Sequence, residues 1–435
     1  MSRTNNARQT PPKTGQEQPR FFRIGIGIAL CFFLLLIYVH LLSRPKVRVG
    51  ADILVGKHLA LLTGKKVGVI TNQTGVLSSG QHFVDALLEH RISVVALFGP
   101  EHGIRGDVPD GVSIRDGKDV RTAIPVYSLY GEVRKPTAEM LRGVDALVFD
   151  VQTVDARFHT FISTMMLAME AAAEHGIDFI VLDRPNPTRG LVAEGPVRED
   201  SLQSFISHLP IPITSGMTIG ELAKMINEEG WLNSGERVSL TVIPMEGWKR
   251  SMWYDETELK WVRPSPNMKS LRTAIVYAGS ALIEGIANVS EGRGTDRPFE
   301  YIGAPWIDGR KLADELNSLS LPGVTFEPIE FTPERVEGRS PPVKYEGNRC
   351  HGVSIHVNDR DSFSPVSMGI NLLYALKRQY GSRIQWRTWH LDRLVGSSKV
   401  RERFDGGASP REIMSLWEEE IEGFMGIRSK YLIYD

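Results

Sequence analysis

Residues 65–75 read KKVGVITNQTG and residues 92–107 read ISVVALFGPEHGIRGD. Each is a short apolar run that stops at a polar, glycine-bearing turn. Between them Phe83 and Leu87, and Val84 and Leu88, stand four apart, the spacing of one helix face over residues 81–91. Strand, helix, strand is the unit of a parallel sheet with helices on both faces. The pattern continues outward. Residues 125–129, 146–151 and 179–182 read as further strands, 157–175 and 218–229 as helices, and Thr137 as the cap of a short helix ending at Leu141. Met165, Met166 and Met169 are expected as core filler. Further helices are expected over 273–284 and near 308–316. Residues 321–348, rich in proline and charge, read as a link. A strand at 351–357 and helices at 366–378 and 410–424 follow it. The expectation is an α/β chain with a parallel-sheet domain over residues 50–320 and a smaller α/β domain over 321–435.

Composition narrows the function. The 435 residues carry 51 basic and 52 acidic side chains, but eight of the basic ones and one acid, Glu17, fall within residues 1–48. The remainder is net acidic, which argues against nucleic acid as a partner of the folded part. Two cysteines, Cys31 and Cys350, exclude a disulfide framework and a cysteine-based zinc site. Residues 1–23 are polar and read as a disordered tail on the cytoplasmic side. Residues 24–42 are 19 in number and without a charged residue. At about 1.5 Å per residue such a run spans a bilayer core, so it reads as an uncleaved transmembrane helix, with the bulk of the chain outside.

In an open parallel sheet, ligands bind beyond the carboxyl ends of the strands. Those ends carry Asn72 in TNQTG, Glu101, His102 and Arg105 in GPEHGIRGD, Tyr130 and Glu132 in YGE, Asp150 in DVQ, and Asp183 in DRPNP. Dinucleotide, P-loop, nucleophile-elbow and H-E-x-x-H signatures are absent. What remains is carboxylates with neighbouring arginines and aromatics, which fits sugar chemistry. A glycosidase needs one carboxylic acid to protonate the leaving oxygen, and usually a second carboxylate for the other face.

The stretches LFGPEHGIRGD, PVYSLYGEVRKPTAEML, VDALVFDVQTVDARFHTFISTM, VLDRPNP, EGPV, GMTIGELA, WVRPSPNM and NVSEGRGTDRPFEYIGAPW resemble, in order, the exo-β-N-acetylmuramidase family of NamZ type, glycoside hydrolase family 171, formerly a domain of unknown function. The resemblance runs over residues 52–435. It implies a Rossmann-like domain plus a smaller α/β domain, and removal of terminal β-1,4-linked N-acetylmuramic acid from non-reducing ends of peptidoglycan fragments or muropeptides. It implies no cofactor and no metal. Carried over by position, Glu101 is the expected general acid, largely buried, with His102 beside it. Asp150 and Glu291 complete the expected catalytic set. Asn72, Arg105, Tyr130, Arg157, Asp183 and Arg293 are expected to bind substrate. Asn72, Glu101, Asp150 and Arg157 are expected to converge in one cleft. Arginine suits the lactyl carboxylate of muramic acid through paired hydrogen bonds.

The chain departs from the family pattern at Thr153 and Asp155, where Q-D-V-G is usual, at His159, where tyrosine is common, and at Ser215, where histidine is common. Two classes of function therefore compete. One is a membrane-tethered exo-acting glycosidase. The other is a non-catalytic, membrane-tethered muropeptide-binding protein. Hydrolysis of a chromogenic N-acetylmuramic acid β-glycoside separates them.

Overall fold

A computed structural model of the chain describes residues 47–105, 117–335 and 343–435. The first part holds α1 (Gly50–Ile53), β1 (Lys66–Thr71), α2 (Phe83–Glu89), β2 (Ser93–Gly99), β3 (Gly117–Lys118), β4 (Pro125–Ser128), β5 (Ala146–Asp150), α3 (Phe161–His175), β6 (Asp178–Leu182), α4 (Ile219–Glu228) and β7 (Leu240–Ile243). The second holds α5 (Leu271–Ser280), β8 (Tyr301–Ala304), α6 (Gly309–Ser318), β9 (Val324–Phe331), β10 (Cys350–Val357), α7 (Pro365–Tyr380), α8 (Thr388–Val395), α9 (Lys399–Asp405), α10 (Pro410–Met414) and α11 (Glu418–Arg428).

The seven-stranded sheet runs in the order β3-β4-β2-β1-β5-β6-β7. All neighbours pair parallel except the two-residue edge strand β3. The chain lays down β1, β2 and β4 in one direction, then returns to place β5, β6 and β7 on the other side of β1. The order reverses between β1 and β5, which opens a crevice at their carboxyl ends. Both faces are covered. Phe83, Val84 and Leu87 of α2 bury Val67, Val69 and Val148. On the other face Phe161, Met165, Met166 and Met169 of α3 cover Phe149 and Phe179, so the methionines are core. That double cover is why β1 and β5 read as continuous apolar runs.

The expected helix over 137–141 is a turn. Leu141 N–H reaches Thr137 O at 3.1 Å, but Gly143, at φ +77°, leaves the helical region two residues later. β7 escapes the sequence reading because it is an edge strand with one fully buried residue, Ile243.

The second sheet is antiparallel, in the order β8-β10-β9. The stretch read as a link carries β9. Val324, Phe326 and Phe331 face the core while Thr325, Glu327 and Glu330 are exposed. Pro328 sits opposite Val353 in this strand. It is tolerated because β9 is at the edge, where a missing N–H costs no ladder bond. β8 lies before residue 321 and still belongs to this sheet. Leu312 and Leu316 of α6 and Ile370 and Leu373 of α7 share one core with Phe326, Val353 and Ile355. The expected helix over 410–424 is divided into α10, a 3₁₀ turn at Ser415–Trp417, and α11.

No helix among the described residues is long and apolar enough to cross a membrane. The expected anchor, residues 24–42, lies outside the described residues, as do residues 1–23.

α5 and α7 cross at glycines. A Cβ on Gly279 would lie 1.7 Å from Pro365 O, and one on Gly369 would lie 2.5 Å from Gly279 O. Alanine is the better helix former by about 1 kcal/mol, so intrinsic propensity favours Gly279→Ala. The close backbone approach opposes it more strongly. Gly279→Ala is expected to lower the unfolding free energy by about 2 kcal/mol or more in urea titration. A neutral or stabilising effect would contradict this crossing.

Candidate active site

Glu101 hangs from the loop after β2. Gly103 N–H closes onto Pro100 O at 3.0 Å. His102 and Gly103 both take left-handed backbone, at φ +76° and +75°. For histidine this conformation is uncommon and mildly costly. The reversal buries His102 and leaves Glu101 half-buried, less enclosed than the sequence suggested. Thr160, the residue before α3, donates its hydroxyl to Glu101 Oε2 at 3.1 Å.

Glu101 and His102 line a cleft of about 90 Å³ with Phe158, His159, Tyr277, Phe299 and Arg293, among others. His159 packs edge-on to Phe161 at 4.6 Å. Burial, helped by the neighbouring His102, brings its pKa down to about 3, so its imidazole is neutral at ordinary pH. Arg293 reaches the cleft from the loop after α5 and lies 4.8 Å from the Phe299 ring centroid. Two carboxylates hold it, the half-buried Glu284 and the buried Glu291, each at 2.9 Å. Lys344 sits 2.9 Å from the other oxygen of Glu291. Burial alone would raise the Glu291 pKa, but the Lys344 and Arg293 charges outweigh it and hold the carboxyl below its usual range. Glu284 behaves alike. Burial works upward, Arg293 and then His390 work downward, and the result is about 2.

The other expected site residues are placed elsewhere. Asp150, fully buried at the end of β5, takes two hydrogen bonds from Arg184, Nε at 2.7 Å and Nη2 at 2.9 Å. Asp183, at the end of β6, accepts from Arg184 N–H, Gly220 N–H, Thr218 hydroxyl and Tyr434 hydroxyl at 2.6–3.0 Å. Burial, with the nearby Glu221 charge, pushes its pKa up to about 7. Asn72 Oδ1 accepts from Thr74 N–H at 2.9 Å and its hydroxyl at 2.5 Å, a local turn after β1. Arg105 makes a paired contact with Asp119 at 3.2 and 3.1 Å. Tyr130 is half-buried, its ring 6.2 Å from Phe205.

Arg157 lies wholly inside the protein. Its guanidinium donates to Pro196 O, Ile211 O and Leu394 O at 2.9, 2.6 and 3.0 Å. The last is a terminal carbonyl of α8. Burial, with the neighbouring Arg198 charge, brings the Arg157 pKa down to about 9.

Among the described residues, the structure therefore gathers Glu101, His102 and Arg293 at one cleft. Glu291 stands behind Arg293. Asn72, Asp150, Asp183, Arg105, Tyr130 and Arg157 are not among the residues lining it. Phe158, Thr160, Tyr277 and Phe299 line it and were not singled out from sequence. Thr160 had a signal, because it opens the helix that follows β5 at the same rim. Glu284 and Lys344 had none, because their roles depend on contacts across long separations. Of the four departures from the family pattern, His159 lines the cleft. Asp155 and Ser215 instead bond each other, with Asp155 Oδ1 accepting from Ser215 N–H at 2.9 Å and its hydroxyl at 3.1 Å. No group of three or more metal-ligating side chains occurs among the described residues.

Comparison with known proteins converges on one family. Residues 67–272 match the N-terminal part of the exo-β-N-acetylmuramidase NamZ family, and residues 275–434 match its C-terminal part. The chain is 46% identical over 394 residues to the peptidoglycan β-N-acetylmuramidase NamZ of Bacillus subtilis (strain 168), covering 90% of this chain and 92% of that protein. Two crystal structures of DUF1343 family proteins from Bacteroides fragilis NCTC 9343 superpose with TM-scores of 0.83 and 0.74, at 38% and 32% identity. They cover 90% and 89% of this chain, and 100% and 99% of their own chains. The chain belongs to the exo-β-N-acetylmuramidase NamZ family.

Proposed function

We propose that the protein is an exo-acting glycoside hydrolase that removes terminal β-1,4-linked N-acetylmuramic acid from the non-reducing ends of peptidoglycan fragments, with Glu101 as its general acid. The observation that carries this reading is the presentation of Glu101, the carboxylate lining a small cleft that also holds an arginine and aromatic rings. Protonated Glu101 donates its proton to the glycosidic oxygen as the bond to the anomeric carbon breaks. Water then supplies the new anomeric hydroxyl and returns a proton to Glu101. Phe158, Tyr277 and Phe299 form an apolar wall of the cleft that limits bulk water. Arg293, oriented by Glu284 and Glu291, takes the lactyl carboxylate that marks muramic acid in this reading.

The positions of Thr153, Asp155 and Ser215 support catalysis over mere binding, because none of the three lines the cleft. The strand order of the large sheet supports the Rossmann-like reading. The uncharged run at residues 24–42 supports a membrane tether with the folded part in the cell envelope.

Glu101→Gln keeps size and hydrogen bonding but delivers no proton. Its turnover of a chromogenic N-acetylmuramic acid β-glycoside is expected to fall by about 10²–10⁴-fold, with little change in KM and in thermal unfolding. Near wild-type hydrolysis would remove Glu101 from the acid role.

Glu284 has a signature in acid. Its folded pKa of about 2 lies below the ordinary 4.5, so the unfolded chain binds its proton first. Its stabilisation is complete above pH 4.5 and is lost as pH falls toward 2. The full effect is on the order of 3 kcal/mol. Urea midpoints measured across that window are expected to fall more steeply for wild type than for Glu284→Gln. Parallel curves would show that the Arg293 clamp contributes no pH-dependent stability.

A further inference from the structure

A second cavity opens along the helix that begins beside Glu101. Thr160, Ser163 and Leu167 follow the i, i+3, i+7 spacing of one helix face. Thr160 lines the Glu101 cleft and bonds Glu101. Ser163 donates its hydroxyl to Phe205 O at 2.7 Å. Leu167 lines a cavity of about 390 Å³ together with Arg134, Gln203, Phe205, His208 and Asn233. Seven residues of helix separate the two ends by about 10 Å, within reach of a short glycan whose cleaved bond sits at Glu101.

The lining is chemically specific. The Arg134 guanidinium carbon sits 4.4 Å from the Phe205 ring centroid, while the Tyr130 ring lies 6.2 Å from that centroid. Among the described residues no carboxylate pairs with Arg134. Its neighbour Lys135 differs, being engaged by Glu170 at 2.7 Å and Glu174 at 2.6 Å. Arg134 is thus an exposed planar cation, stacked on a ring, with no protein hydrogen bond to its guanidinium among the described residues. Around it Ser204 Oγ and His208 Nε2 are buried polar atoms without a hydrogen-bond partner. Burial lowers the His208 pKa, Arg198 adds to that and Glu170 opposes it, so its imidazole is a neutral hydrogen-bonding group. Glu170 is itself occupied by Lys135 and by Asn233 N–H at 2.9 Å.

We propose that this cavity is a subsite for a carboxylate on the leaving side of the substrate, gripped by Arg134 over Phe205. The proposal rests on the glycosidase reading above. A planar guanidinium takes a carboxylate through two parallel hydrogen bonds. On the leaving side of a muramic acid terminus, that carboxylate has two sources. In a peptide-free glycan it is the lactyl group of the next muramic acid. Where that group is amide-linked, it is a carboxyl group of the attached peptide.

The test compares the full-length wild-type protein, Arg134→Gln and Arg134→Lys on three substrates. These are a small chromogenic N-acetylmuramic acid β-glycoside, a peptide-free trisaccharide carrying muramic acid at both ends, and its peptide-bearing counterpart. Arg134→Gln is expected to match wild type on the small glycoside. Its KM should rise about tenfold on a carboxylate-bearing substrate, with kcat within about twofold and partial recovery in Arg134→Lys. A rise on the peptide-free trisaccharide supports the proposal and assigns the lactyl carboxylate. A rise on the peptide-bearing one alone supports it and assigns the peptide. Unchanged KM on both, with wild type active on all three, overturns the subsite. Should wild type fail on the small glycoside, the glycosidase reading falls. Calorimetric binding of both trisaccharides then decides the subsite, and equal Kd for wild type and Arg134→Gln overturns it.

Discussion

A buried ion pair organises the carboxyl edge of the large sheet. The Asp150 and Arg184 side chains are 0% and 5% exposed and meet through two hydrogen bonds. Burying two charges is costly, and good geometry offsets that cost only when the remaining donors and acceptors are satisfied. Arg184 Nη2 also donates to Val76 O at 3.0 Å, and the Thr71 hydroxyl donates to the backbone carbonyl of Asp150 at 2.9 Å. One guanidinium therefore ties together the loop after β1, the end of β5 and the end of β6, at the point where strand order reverses. Asp183 adds a second knot beside it, joining β6 to the start of α4 and to Tyr434 near the chain's end. These carboxylates are occupied in holding loops. Glu101 stands on the far side of β1, after β2, where it meets the start of α3.

The same economy explains Arg157. Its three carbonyl partners come from segments far apart in sequence, and one of them ends α8. Around it Val154, Ala156, Phe158 and Ile213 share a core with Leu391, Leu394 and Val395. Losing such a guanidinium would leave buried carbonyls unpaired, at a cost of about 1–3 kcal/mol each. The two sheets are thus fastened by a polar tie as well as by apolar contact, and residues 47–435 form one compact unit. The cleft takes walls from both parts, with Phe158 and Thr160 from one and Tyr277, Arg293 and Phe299 from the other.

The parallel sheet was legible because its strands are buried on both faces and so read as apolar runs closed by polar turns. Edge elements were not. β7 and β9 show only part of that burial, and Pro328 and the charges of β9 made a strand look like a link. The rim was legible as a place, since the strand ends could be located. Which rim residues face a ligand was not. Asp150, Asp183 and Arg157 have the residue types of a sugar site, but their partners, Arg184, Tyr434 and Leu394, lie 34, 251 and 237 residues away. Only packing decides whether a charge is spent inward or offered outward. Glu101 and Arg293 sit on glycine-bearing loops, and both reach the cleft. Arg134 lies inside the family-like stretch PVYSLYGEVRKPTAEML, but no role could be read for it there, and its interest comes from the Phe205 ring beneath it.

The most direct test of the account is a crystal structure of Glu101→Gln bound to an oligosaccharide with N-acetylmuramic acid at its non-reducing end. The account predicts the terminal sugar in the cleft between α3 and the Arg293 loop, with the glycosidic oxygen within about 2.6–3.2 Å of the residue 101 side chain. A terminal sugar seated instead on the Asp150 and Asp183 side of the rim, away from residue 101, would contradict it.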